Sequence, residues 1–165
     1  SVPDRPWQLD DGRLDVGGLM EGFLDFWRES AENMVRTQPY NEAAAQLILQ
    51  AFFQRVINGG GYIDREYALG SKRLDLCIRW PHEVDGKRQV QRVAIEVKVW
   101  RTKEADPLAQ GLLQLDAYLT RLGLDTGFLV VFDRRAAANK VPWAQRPRWD
   151  TAVTASGRAV RVLRL

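Results

Sequence analysis

Two amphipathic helices are predicted in the first third of the chain. Over residues 20–35, apolar residues recur at helical spacing with acidic residues between them, which is the pattern of a helix with one face toward a core. The residues of that face are Leu19, Phe23, Phe26 and Trp27. A longer apolar helix is predicted over residues 41–57, because Asn41 is a suitable N-cap and the glycines at 59–61 tolerate the backbone angles that end a helix. Residues 1–15, with two prolines and an Asp-Asp-Gly turn, are expected to form a linker or docking arm.

Three strands are predicted next, at residues 62–69, 73–80 and 89–100. Apolar residues occupy alternate positions along the second and third strands: Leu74, Leu76 and Ile78 in one, and Val93, Ile95, Val97 and Val99 in the other. Successive side chains of a strand point to opposite faces of the sheet, so each of these runs has a fully apolar face. Asp85-Gly86 favours a tight hairpin turn between the two.

One more helix and two more strands complete the predicted elements. Residues 107–122 carry leucines at helical spacing, and Pro107 suits the start of a helix, where its missing N–H costs nothing. Residues 127–133 form an unbroken apolar run, typical of a buried parallel strand. Residues 158–165 alternate and predict a final strand. The order ααβββαβ plus a tail predicts an α/β fold with a central mixed sheet flanked by helices.

The composition fits one globular domain that needs no cross-links. With 165 residues, 45% of them hydrophobic, the chain is long enough to bury a core. No apolar run is long enough to cross a membrane, and a single Cys cannot form an internal disulfide. No signal-peptide pattern is visible, so the expected compartment is the cytoplasm.

The net charge of +3 hides a strong asymmetry between the two ends of the chain. Residues 1–35 carry eight acidic and three basic residues, whereas residues 134–165 carry eight basic residues and one acidic residue. A basic tail suits a polyanion such as nucleic acid, and Arg146 and Arg148 are its candidate contacts. The alternative is a solvated surface whose two ends attract one another.

Two tryptophans in this basic tail have two interpretations. Trp143 and Trp149 are interleaved with Arg146 and Arg148, and an aromatic ring next to basic residues can stack on nucleic-acid bases. Equally, the two rings could pack against the domain and hold the tail in place. The sequence leaves both open.

Three charged residues on the predicted strands indicate a metal site. Glu96 and Lys98 share one face of their strand, and Asp75 can reach that face if the two strands are neighbours. Charged side chains are rarely buried in a sheet unless they are paired or bind a metal. Two adjacent carboxylates repel each other unless a divalent cation lies between them. The pattern therefore predicts a site for a hard cation, and an inert ion pair is the alternative.

At this point the chain resembles the PD-(D/E)XK nuclease superfamily. Its pattern Gly-x-x-Arg-x-Asp, Glu-x-Lys and Gln-x-x-x-Tyr is matched in order by Gly70, Arg73, Asp75, Glu96, Lys98, Gln114 and Tyr118. The Gln-Tyr pair is typical of the RecB-type branch, and Glu42 matches a glutamate that often precedes these motifs. The resemblance covers residues 40–133, and one departure is Leu74 where some members have proline. More closely, residues 58–70 and 131–135 resemble the C-terminal nuclease-like domain found behind AAA-ATPase-like regions in bacterial proteins.

The resemblance implies a restriction-endonuclease-like core (αβββαβ) at residues 40–165, preceded by an N-terminal arm and helix at 1–39 and extended by a C-terminal strand. It implies hydrolysis of DNA phosphodiesters with Mg²⁺ or Mn²⁺, with DNA a better candidate than RNA, and an ATPase domain in the parent protein. The expected catalytic residues are Asp75, Glu96 and Lys98. The metal ligands would be Asp75, Glu96, the Val97 carbonyl and Glu42.

Three further residues are expected to support the site or bind nucleic acid. Gln114 and Tyr118 share one helix face, which we expect to be distinct from the leucine stripe and to contact a phosphate or a metal-bound water. Arg73 projects on the same side of its strand as Asp75 and could hold a carboxylate or a phosphate. The rivals to a nuclease are a catalytically silent nucleic-acid-binding module and a domain that regulates an attached ATPase.

Overall fold

A sheet of six strands forms the middle layer of the protein. The structure is a computed structural model and describes residues 7–36, 44–68 and 73–165, apart from the side chains of residues 67, 68 and 73. The strands are β1 (Tyr62–Ala68), β2 (Arg73–Val84), β3 (Lys87–Trp100), β4 (Thr126–Asp133), β5 (Arg148–Val153) and β6 (Ala159–Arg164). The helices are α1 (Val16–Phe26), α2 (Glu32–Arg36), α3 (Ala44–Ile57) and α4 (Leu108–Leu122). The spatial order of the strands is β1-β2-β3-β4-β6-β5. These elements confirm the predicted α/β class with a mixed sheet flanked by helices.

The sheet combines a local hairpin with non-local parallel pairs. β2 and β3 are antiparallel neighbours, as predicted, and both are longer than predicted because their ladder continues to the turn at Asp85 and Gly86. Both turn residues have positive φ (51° and 76°), which matches the strand twist. β3 is parallel to β4, and β4 is parallel to β6. Strands β3 and β4 therefore have partners on both sides and lie at the centre of the sheet.

Each face of the sheet has its own apolar core. Helices α1 and α3 cover one face, where Phe23, Phe53 and Phe132 are fully buried. Helix α4 covers the other face, over β3 and β4, and buries Leu115 and Leu119 there. The predicted site residues Asp75, Glu96 and Lys98 lie on the α4 face, because they alternate with residues of the α1–α3 core.

The structure corrects the prediction at three elements. The C-terminal region contains two strands, not one: β5 lies at the sheet edge, antiparallel to β6, and includes Arg148. The N-terminal helix is interrupted by a π-helical turn at Trp27–Ala31. The segment expected to form a linker or docking arm packs on the domain over residues 7–15, where Leu14 is buried and its N–H donates to Gln91 Oε1 at 2.8 Å.

Side-chain contacts of Trp143 and of Asp116 help to hold the C-terminal region on the domain. Trp143 is buried, stacks on Trp27 with 5.0 Å between ring centroids, and donates its indole N–H to the Trp27 carbonyl at 2.8 Å. Asp116 on α4 accepts hydrogen bonds from Thr154, Ser156 and Arg158 in the turn between β5 and β6. Trp143 therefore locks the tail in place, which was the second of its two interpretations. No helix among the described residues is both long enough and apolar enough to span a membrane.

Candidate functional site

Asp75 and Glu96 lie directly opposite each other in the β2–β3 ladder. Direct partners in an antiparallel pair point to the same face, with their Cβ atoms about 4.5–5.5 Å apart. Both side chains are buried, with 3% and 0% of their surface exposed. The strand pairing required for these two carboxylates to converge is therefore present in the fold.

A third carboxylate continues the same cross-strand row. Glu66 on β1 lies opposite Asp75, so Glu66, Asp75 and Glu96 form a row on three adjacent strands, which we call the acidic row. Glu66 is exposed and pairs with Arg121 of α4 at 3.1 Å. No sequence motif indicates Glu66, because only the register of β1 against β2 places it next to Asp75.

Lys98 lies next to the acidic row, on the same face of β3 as Glu96. Its side chain is 4% exposed, and its Nζ lies 3.2 Å from Gln114 Oε1 and 3.5 Å from Gln110 Oε1 on α4. Gly111 lets the helix approach this closely, since a Cβ there would lie 3.0 Å from Leu129 and 3.4 Å from the Lys98 side chain. The two glutamine oxygens accept hydrogen bonds from the ammonium and fix its position. Gln110 was not predicted, although its spacing of four from Gln114 places both on one helix face.

The electrostatics of this cluster favour a bound cation. Asp75 and Glu96 bring two carboxylates into a site shielded from water, where like charges repel strongly. One ammonium, that of Lys98, lies beside them. The carboxylate oxygens of Asp75 and Glu96 are ligands of the kind that suits Mg²⁺ or Mn²⁺.

Tyr118 does not lie on the helix face that its spacing from Gln114 predicts. Its face of α4 is not distinct from the apolar stripe: Tyr118 is buried in the core under α4, together with Leu115 and Leu119. Burial raises the pKa of Tyr118, and the negative charge of Asp75 contributes to that rise. Tyr118 is therefore a neutral phenol that packs beside the acidic row.

Cys77 lies on the same face, two residues from Asp75 along β2, and is buried. Burial raises the pKa of its thiol. Because the thiolate is the reactive form of cysteine, this side chain behaves as a small hydrophobic residue and not as a nucleophile.

Several predicted residues cannot be placed in full. Glu42 and Gly70 lie outside the described residues, and for Arg73 only the backbone is described. Val97 pairs with Leu74 on one side and with Val130 on the other, and its side chain is buried in the core below α1 and α3. Among the residues described, no group of three or more His, Cys, Asp or Glu side chains is arranged to hold a metal ion. Glu42, the fourth predicted ligand, lies outside those residues.

Two basic residues of the tail, Arg148 and Arg164, lie on the same face of the sheet as Lys98. Arg148 begins β5 and lies opposite Arg164 of β6, while Arg146 lies two residues before β5. Arg164 was not singled out by the sequence, because the parallel pairing of β4 with β6 is what brings it near Lys98.

No protein-family model, curated protein or solved structure matches this chain. The geometry of the site and the motifs themselves therefore carry the functional proposal.

Proposed function

We propose that this chain is a metal-dependent nuclease domain of the PD-(D/E)XK type, with a restriction-endonuclease-like core, that hydrolyses DNA phosphodiester bonds. The observation that carries the proposal is the direct pairing of buried Asp75 with buried Glu96, with Lys98 two residues further along the same face. A buried pair of facing carboxylates has no use in packing, because it costs desolvation and repulsion. Two carboxylates that can hold a divalent cation, with an ammonium beside them, are groups that phosphodiester hydrolysis can use.

In this proposal the chain supplies oxygen ligands and one positioned cation. Asp75 and Glu96 would hold Mg²⁺ or Mn²⁺, which supplies charge neutralisation on the phosphate and a more acidic bound water. The Lys98 ammonium, oriented by Gln110 and Gln114, would donate to the attacking water and to a non-bridging phosphate oxygen. The side-chain oxygens of the two glutamines accept hydrogen bonds from the Lys98 Nζ and so orient it.

The setting proposed for the domain is a larger protein that also carries an ATPase. The support is the resemblance of residues 58–70 and 131–135 to nuclease-like domains behind AAA-ATPase-like regions. A cytoplasmic location and a nucleic-acid partner, DNA before RNA, belong to the same proposal.

One cleavage panel tests this function. The domain is incubated with supercoiled plasmid, linear duplex, single-stranded DNA and RNA, with Mg²⁺, with Mn²⁺ or with EDTA. Asp75→Asn protein, purified in the same way, controls for contaminating nucleases. The proposal expects cleavage that needs the metal and is lost in Asp75→Asn, and equal activity of the two proteins would overturn it.

A catalytically silent binding or ATPase-regulating domain is the second candidate, and burial favours it. Glu96 is 0% exposed and Asp75 is 3% exposed, so a phosphate has little direct access to them. This candidate expects binding of nucleic acid, or an effect on an attached ATPase, with no cleavage under any metal.

A further inference from the structure

A cavity of about 460 Å³ opens at the end of the sheet where the parallel strands β3, β4 and β6 finish. Trp100, Asp133 and Arg164 line it at the carboxyl ends of these strands, and Arg146 and Arg148 line it from the segment that enters β5. The carboxyl edge of parallel strands is a common place for ligand sites in α/β proteins. The volume is sufficient for a nucleotide-sized group.

One cross-strand row links the lining of this cavity to Lys98 of the proposed cleavage site. Lys98 pairs with Val131, Val131 pairs with Arg164, and Arg164 pairs with Arg148. These four residues therefore lie side by side on the α4 face. Because three of them are basic, we call them the basic row. Strands are spaced by about 4.8 Å, so Arg164 and Arg148 lie about 10 and 14 Å from Lys98 along the row. The two rows share only β3: the acidic row extends from Glu96 toward β1, and the basic row extends from Lys98, two residues further along β3, toward β5.

Carboxylates already engage three of the arginines in the cavity. Arg135 makes two hydrogen bonds to Asp133, of 2.9 and 2.7 Å, and stacks over Trp100 at 3.4 Å from the ring centroid. Arg164 lies 2.8 Å from Asp106, and Arg148 lies 3.1 Å from Asp150. Arg148 and Arg164 are direct partners across β5 and β6, and the Asp150 carboxylate lies 3.1 Å from the Arg148 Nε and 3.7 Å from the Arg164 Nε. A bound phosphate would add a second anion beside these two facing like charges.

Arg146 is the arginine of this cavity that forms no ion pair with a described carboxylate. Its Nε donates to the Val141 carbonyl at 2.8 Å, and its guanidinium carbon lies 5.2 Å from the centroid of Trp143. Within the described parts of the chain, no carboxylate lies at ion-pair distance from it. Burial lowers the pKa of Arg146, and the positive charge of Arg36 lowers it further, while Glu32 and Asp133 act in the opposite direction. A partly buried arginine that lines a cavity and is not held in an ion pair is a suitable binding position for an anion.

We propose that this cavity is a phosphate subsite, in which Arg146, Arg148 and Arg164 bind a backbone phosphate of the nucleic-acid strand whose scissile phosphate lies at Lys98. The inference rests on the proposed nuclease function, because that function places a phosphate at Lys98. A planar guanidinium fork suits the two oxygens of a phosphate, and the row sets the direction in which the strand leaves the cleavage site. The proposal thus assigns a polarity to substrate binding: the strand extends from the acidic row toward β5.

Binding of a fluorescent single-stranded DNA, measured by anisotropy in EDTA, tests the subsite without cleavage. Arg146→Gln is expected to raise Kd about tenfold, the loss typical of one charge-assisted hydrogen bond. It should also reduce the slope of log K against log salt by about 0.7. Arg88→Gln, at the exposed end of the β2–β3 hairpin, is the matched control and should leave Kd and the slope unchanged.

A second variant keeps the test valid if Arg146→Gln folds poorly. Arg148 is exposed, with 64% of its side chain accessible, so Arg148→Gln should fold normally and still weaken binding. Kd values for Arg146→Gln and Arg148→Gln equal to that of Arg88→Gln would overturn the proposal.

Free phosphates are distinguished from a strand by a separate titration. Inorganic phosphate and a mononucleotide are added to ¹⁵N-labelled protein, and the Trp100 indole signal is followed. The Trp100 signal could shift with these ligands in wild type and not in Arg146→Gln, while both proteins bind DNA equally well. That result would overturn the assignment of the cavity to a nucleic-acid strand and would favour a free phosphorylated ligand. If wild-type protein cuts no nucleic acid but binds DNA in an Arg146-dependent way, the nuclease function fails while the subsite stands.

Discussion

The ammonium of Lys98 lies 3.2 Å from the side-chain oxygen of Gln114, across the gap between β3 and α4. The lysine is thus positioned by the helix and not by the strand alone. Its ammonium is the group in the cluster that can stabilise negative charge developing on a phosphate.

Replacing Lys98 with Met keeps the aliphatic stem and removes only that ammonium. If the ammonium acts on the reacting phosphate, cleavage should fall by about 100-fold or more, the typical loss for one positioned donor. Metal and DNA binding should persist. Single-turnover cleavage with Mn²⁺ measures the rate, and Lys87→Met at the exposed hairpin end is the matched control. If Lys98 served only as half of an ion pair, stability would change and turnover would not.

The facing carboxylates of Asp75 and Glu96 should give stability a dependence on Mg²⁺. At a concentration 100 times Kd, a ligand bound only by the folded state adds about 2.7 kcal/mol. For a protein of this size that corresponds to a rise in Tm of about 5–10 °C. Asp75→Asn and Glu96→Gln should abolish the rise, while in EDTA these variants should melt no lower than wild type, because one of two repelling charges is gone.

Scanning calorimetry with and without Mg²⁺ measures these shifts. Asp64→Asn is the matched control, since Asp64 lies on β1 on the same sheet face but is exposed and paired with Arg79. An undiminished Mg²⁺-dependent rise in both site variants would remove Asp75 and Glu96 from the metal site.

Asp116 should make the domain sensitive to acid. Hydrogen bonds from Ser156, Arg158 and Thr154 lower the pKa of this carboxyl below the ordinary value for aspartate. The folded state therefore favours the ionised form. Its contribution to stability is present above about pH 4, the unfolded-state pKa of aspartate, and is lost as the pH falls from there toward the lowered value.

Urea unfolding between pH 7 and pH 2 shows this contribution. The free energy of unfolding of Asp116→Asn should be lower than that of wild type at pH 7, and the two should converge as the pH falls. Asp125→Asn, at an exposed position beyond the end of α4, should follow the wild-type curve. A constant difference between Asp116→Asn and wild type at every pH would show that the carboxyl charge plays no part.

The sequence predicts the acidic site better than the basic one, for a physical reason. Asp75, Glu96 and Lys98 come from one hairpin, so alternation along two strands and a short turn suffice to bring them together. The basic row depends on the parallel pairing of β3, β4 and β6, which no local pattern specifies. Arg164 and the cavity around it were accordingly missed.

The structure differs from the prediction at two other places, β5 and Tyr118. β5 is a short edge strand with polar residues at Arg148, Asp150 and Thr151, so it has no apolar alternation to reveal it. The spacing of Gln114 and Tyr118 predicts a shared face distinct from the leucine stripe, whereas in the structure Tyr118 packs with Leu115 and Leu119. Spacing on a helix fixes which residues are neighbours, whereas the sheet beneath it decides which of them are buried.

The contact between Trp27 and Trp143 joins residues 116 positions apart, whereas β2 and β3 meet across a two-residue turn. Short-range contacts form faster than long-range ones, because closing a long loop costs more chain entropy. We therefore expect the hairpin that holds Asp75 and Glu96 to form early, and the closure of Trp143 on Trp27 to form late. During synthesis on the ribosome, the hairpin with Asp75 and Glu96 would therefore form before Arg146, Arg148 and Arg164, the proposed nucleic-acid contacts, have left the exit tunnel.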